Sequence, residues 1–112
     1  MNFYLVTGLH LLRTDARPEM TLRIEHLSME HGTRIRLSGE LRCEQLSVVR
    51  KEIKRDGQQV TLDLEELDLV DIHAVRFLND CEAQNVKVIN CALYIREWMF
   101  QERASERNPE GT

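Results

Sequence analysis

The sequence predicts an α/β domain: a mixed sheet of about four strands with helices packed against it. Two observations predict it. Apolar residues recur every second position in some segments and every third or fourth in others, with Gly-containing breaks between. The resulting order is β-β-α-β-α-β-α, and each β-α-β step favours parallel neighbours joined by a right-handed crossover. A chain of 112 residues is long enough for one such core.

Regular alternation begins after Met20. Residues 21–27 place Leu22 and Ile24 against Arg23 and Glu25, as a half-buried strand does. "HGT" at 31–33 makes a turn, and residues 34–39 alternate again through Ile35 and Leu37, which predicts an antiparallel pair. The period then changes. Cys43, Leu46, Val49 and Ile53 form one apolar helix face, with Arg50, Lys51, Lys54 and Arg55 towards its C-terminal end, where they suit the helix dipole. Gly57 terminates that helix. Val60, Leu62 and Leu64 alternate with Thr61, Asp63 and Glu65 in a strand that runs into a short acidic connection. Residues 72–84 are helical through Val75, Leu78 and Cys81, widened by Ala74 and Phe77. "NVKVINC" is a short strand, and a last helix carries Ile95, Trp98 and Met99 on its apolar side.

Composition excludes several classes of function. The net charge of −4 leaves no basic footprint, and aromatics at 5% supply no stacking platform, so no nucleic-acid partner is expected. Cys43, Cys81 and Cys91 form no CxxC and read as reduced, buried thiols of a cytosolic protein. Residues 3–12, "FYLVTGLHLL", reach about half the length of a membrane span and lack a signal-peptide n-region and cleavage site, so no membrane insertion is expected. Residues 1–19 read as an extension, either an extra strand or short helix or the product of a mis-assigned start. The domain is expected at 20–103, and the apolar-poor tail at 104–112 is expected to fray.

The stretch "LDLVDIHAVRFL" at 67–78 carries the candidate site. Asp71 occupies the N-cap position of the second helix, where its carboxylate accepts from the amide of His73 or Ala74. Val70 and Val75 have the spacing of a hydrophobic staple. His73 has no partner at i+4, since position 77 is Phe, and no nucleophile lies beside it, so neither a metal site nor general-base catalysis is expected. The acidic run Asp63, Glu65, Glu66, Asp68 and Asp71 lacks the Gly and bidentate Glu of a calcium loop and reads as a solvated or partner-facing charge patch. No phosphate loop or hydrolase elbow is present in the sequence. The chain therefore reads as a non-enzyme without cofactor.

This order, with an apolar strand ending in Asp before the second helix, resembles the STAS domain, the sulfate-transporter and anti-sigma-factor-antagonist family. "RLSGELRCEQLSVVRKEI" looks like the family's second strand, Gly-Glu-Leu turn and first helix. "VTLDLEELDLVDIHAVRFL" looks like its strand-loop-helix unit, which ends in Asp, two hydroxyl residues and Gly. The resemblance implies a STAS-like fold and a regulatory module that binds a cytoplasmic anti-sigma factor or serine kinase of the histidine-kinase-like ATPase type. Alternatively, it implies an accessory subunit docked on the ATPase of an ABC-type transporter. The family's phosphoacceptor is a serine of the hydroxyl pair, normally the first. Here Asp71, Ile72, His73 and Ala74 stand at those positions, so no phosphorylation is expected there. A phosphoryl group adds about −1.5 to −2 charges to such a surface; with Ile72 it keeps one state. The partner-binding residues are then expected to be Asp71, Ile72, His73, Ala74 and Arg76.

Overall fold

The computed structural model describes residues 2–4, 22–56 and 59–107. It is α/β, with one mixed sheet and helices that bury a common core. Strands β2 (Leu22–Met29) and β3 (Gly32–Leu41) form the expected hairpin, in register from Leu22 opposite Gly39 to Met29 opposite Gly32. A short strand β1 (Asn2–Tyr4) pairs antiparallel along the outer side of β2. The remainder of the expected 1–19 extension lies outside the described residues, as does Gly57.

After β3 comes a 3-10 turn at Cys43–Gln45 and then helix α1 (Leu46–Asp56). Strands β4 (Val60–Asp63) and β5 (Leu67–Val70) follow, then helix α2 (Ile72–Ala83), strand β6 (Lys87–Ile89) and helix α3 (Leu93–Arg107). α3 thus continues past residue 103, where the domain was expected to end. β3 pairs in parallel with β4, and β4 with β6, the geometry the β-α-β steps predict.

Among the described residues the sheet has six strands rather than about four. One addition is β1. The other is β5, formed by residues expected to belong to an acidic connection. β3 is long enough to take β4 beside Thr33–Arg36 and β5 beside Gly39–Leu41, both in parallel. The register shifts between Gly39 and Glu40, with Gly39 at φ +103°, a conformation that favours glycine. The Gly39 amide there donates to the Glu66 carbonyl at 3.0 Å, which holds the chain against β3 between the two strands. The sequence pattern ran residues 60–70 together as one strand and its acidic connection, and it gave no sign of β5 as a separate strand because only Leu67 of it is buried.

Strand alternation divides the sheet into two faces. On one, His26, Ile35, Leu62 and Val88 lie side by side across β2, β3, β4 and β6. Leu22, Ile24 and Leu37 join them, and the helices add Leu46, Val49, Val75, Leu78, Ile95 and Met99 to the same cluster. Burying each such leucine contributes about 1.5–3 kcal/mol. The other face carries Glu25, Arg36 and Asp63 in one row and Arg34 with Thr61 in the next.

Cys43 departs from the sequence expectation. It is exposed, whereas Cys81 is buried and Cys91 half-buried. The cause is local: α1 begins at Leu46, so Cys43 sits in the preceding turn and does not extend the helix's apolar face.

Gly32 is fixed by close backbone approach. Its φ is +135°, and a Cβ there would lie 2.2 Å from the Gln59 carbonyl oxygen. That same oxygen accepts from the Thr33 amide at 2.9 Å, so it cannot move away without losing the contact. Gly32→Ala should therefore destabilise the chain by at least the cost of a strained backbone, about 1–3 kcal/mol, read as a lower urea midpoint at unchanged slope.

Candidate functional site

Two chain reversals lie next to each other at the carboxyl ends of β3 and β5, because Leu41 pairs with Val70. Such ends are where open α/β sheets present their binding residues. Asp71 joins the two. Its backbone is extended at φ −106° and ψ −179°, as an N-cap requires, and its Oδ1 accepts from the Ala74 amide at 2.9 Å. Its Oδ2 accepts from the Cys43 amide at 3.0 Å, across to the turn that follows β3. The Asp71 amide in turn donates to the Leu41 carbonyl at 3.3 Å. The cap was legible in the sequence, but the bond to Cys43 was not, since nothing in the local pattern reveals which distant amide lies within reach. Val70 and Val75, the expected staple pair, both pack into the core.

The residues expected to meet a partner separate into three environments. His73 is exposed and Ile72 is half-buried, so these two form the outward surface of the turn. Ala74 is fully buried and presents no side chain to a partner, because it faces the core one position beyond His73. Arg76 is exposed, but its Nε donates to Glu102 Oε1 at 3.0 Å, so it ties α2 to α3.

The apolar surface near the turn is larger than the sequence suggested. Leu69 on β5 and Tyr94 on α3 are each about half exposed, and Leu93 is more exposed still. The Tyr94 hydroxyl donates to the Asp68 carbonyl oxygen at 2.7 Å, which brings the first turn of α3 to β5. Partial burial, and then the Asp68 charge, push the Tyr94 phenol up, so it stays a donor at neutral pH. Trp98, expected in the core with Ile95 and Met99, is only partly buried at its edge, whereas the other two are fully enclosed.

Asp63 was expected on a solvated acidic face; its side chain is instead fully buried. Its Oδ2 lies 3.3 Å from Arg36 Nη2 and 3.7 Å from Arg34 Nη1. Its Oδ1 accepts from the Glu65 amide at 3.0 Å and the Asn90 side chain at 3.1 Å. Strand register is the reason, since Arg36 pairs directly with Asp63 and a cross-strand pair of opposite charge excludes solvent from the carboxylate. Burial alone pushes this carboxyl up; the bonds from Asn90, Glu65 and Arg36 outweigh it and hold the group below its ordinary value. Glu65, Glu66 and Asp68 remain exposed as expected.

Among the described residues, no three His, Cys, Asp or Glu side chains gather to hold a metal ion. Among the same residues, no helix is long and apolar enough to cross a membrane. No family model matches the chain, and a comparison with curated proteins finds no match. The residues of the turn therefore carry the functional reading on their own geometry. It offers a rigid backbone corner, one imidazole and several apolar side chains, and it lacks a hydroxyl between residues 71 and 76.

Two outcomes follow from the carboxylates. Asp71→Ala should cost about 1–2 kcal/mol by urea unfolding, the upper part of the range for a lost cap, because a second amide also loses its acceptor. Asp71→Asn should fall between, since one oxygen remains to accept. For Asp63 the folded pKa lies below the unfolded value near 3.8. Its ionised form thus stabilises the fold above that value, and the contribution disappears as pH falls through the lower, folded one. Unfolding free energy should decline with acidification below about pH 4, and Asp63→Asn should flatten that decline.

Proposed function

We propose that the chain is a non-enzymatic protein–protein interaction module of the STAS type, without the family's serine switch. Its binding surface is the turn capped by Asp71, with Ile72 and His73 outward and Leu69, Leu93 and Tyr94 as the surrounding apolar contact area. One observation carries the reading. Asp71 spends both carboxylate oxygens on backbone amides of two separate turns. The one carboxylate between residues 71 and 76 thereby serves as a structural clamp. What the clamp holds still is a small, mostly apolar corner, the kind of rigid surface that anchors a protein partner at low entropic cost. The element order and the parallel pairing after α1 support the same family reading.

In the family a serine of the hydroxyl pair, normally the first residue after the Asp, accepts phosphate; here Ile72 offers a branched alkyl group that contributes apolar contact and takes no charge. The module therefore presents a single permanent state to its partner. The partner class the reading implies is a cytoplasmic anti-sigma factor or serine kinase-like ATPase.

Affinity capture from the source cells tests this, with His73→Glu and Ile72→Asp compared with the unaltered chain and folding checked by circular dichroism. An ATPase of the kinase type should be retained by the unaltered chain and lost by both variants. Retention by both variants would place binding elsewhere on the molecule. Capture of a transporter ATPase would select the accessory-subunit reading of the same surface. Incubation with the captured kinase and ATP should leave residues 71–76 unmodified by mass spectrometry; stoichiometric phosphate there would overturn the single-state reading.

A further inference from the structure

Away from the turn, α1 and the C-terminal half of α2 enclose an open cavity of about 210 Å³. Its floor is apolar: Phe77 and Cys81 of α2 are buried, and Ile53 of α1 and Val86 before β6 close the sides. Arg50 and Lys54 stand on the α1 rim, one helical turn apart, and both are exposed. Arg50 lies over the Phe77 ring, with its guanidinium carbon 5.0 Å from the ring centroid. Its aliphatic stem can therefore cover the floor while the charge remains at the mouth. Neither cation has a carboxylate within ion-pair distance among the described residues, unlike the neighbouring Arg55, which bonds Glu52 at 3.2 Å. The α2 rim carries Asp80 and the neutral amide of Gln84.

An apolar floor with two cations on one rim and a single acid on the other has the shape and charge of a site for an amphipathic anion. We propose that this cavity binds a small organic monocarboxylate, its short apolar chain lying over Phe77 and Cys81 and its carboxylate between Arg50 and Lys54. The volume limits the chain, because sites for drug-sized molecules run from about 300 to 1,000 Å³. A short acyl chain or a single aromatic ring fills this one. Asp80 sets the charge of the ligand: two cations against one acid favour a single negative charge, and a second carboxylate at the far end of the chain would meet Asp80 or lose its hydration in the floor. The Cys81 thiol is a passive part of that floor. Burial, followed by the Asp80 charge, pushes it up to about 12, so it remains a neutral, apolar contact at physiological pH.

The probe for the test is sodium octanoate, titrated into the full-length 15N-labelled chain and followed by amide chemical shifts, with octylamine and the dicarboxylate suberate at matched ionic strength. Octanoate should give saturable shifts at Phe77, Cys81, Gln84 and Val86, leaving those of Ile72 and His73 unchanged. Octylamine and suberate should each bind at least about fivefold more weakly, and Lys54→Glu should weaken octanoate by a similar factor. Lys54 is an exposed helix residue, so that variant keeps its fold where Arg50→Glu also removes the contact with Phe77. The proposal is overturned if octanoate gives no saturable shift, if octylamine binds as tightly, or if Lys54→Glu leaves octanoate affinity unaltered.

Discussion

β3 is the strand on which the other elements depend. It pairs with β2 along one edge, and along the other it is shared end to end by β4 and β5. That sharing requires a change of register, which Gly39 supplies at φ +103° while its amide holds the Glu66 carbonyl. Without β5 in that place, α2 would start from a free loop. With it, the carboxyl ends of β3 and β5 lie side by side, and each is followed at once by a turn into a helix. One strand's length thus fixes where the candidate site is built.

Asp71 converts this proximity into rigidity. A carboxylate that accepts one amide caps a helix; one that accepts two, on chain segments remote in sequence, also sets the separation of those segments. The result is a corner whose backbone is fixed and whose outward side chains are free to differ. Ile72 and His73 occupy it here.

The two faces of the sheet are held by different physics. The helix-side face is apolar but for His26, whose Nε2 lies 3.0 Å from Glu52 Oε1 of α1, and it closes by burial across four strands. The opposite face gathers Arg34, Arg36 and Asn90 around Asp63, and it is less completely satisfied, since Arg34 Nε and Arg36 Nε are buried with no hydrogen-bond partner among the described residues. A buried ion pair of this sort specifies register more than it adds stability, because desolvation offsets much of the attraction. Pairing Arg36 with Asp63 penalises a one-residue slip of β4 against β3, which would turn Leu62 outward as well.

The sequence by itself determined the parts that depend on local period and local capping. Alternation in β2, β3 and β4, the helical spacing of α1, α2 and α3, and the Asp71 cap all follow from residues within a turn or a strand of each other. Tertiary structure decided what depends on distant neighbours. It made a strand of Leu67–Val70, because β3 had an edge to offer; it buried Asp63, because Arg36 stands opposite; and it exposed Cys43, because α1 starts later than the apolar spacing implies. It also enclosed Ala74 while leaving His73 outward, and it gave Asp71 a second amide. Local pattern can state that a carboxylate or an apolar side chain needs a partner, but which partner arrives is settled by register and packing across the whole chain.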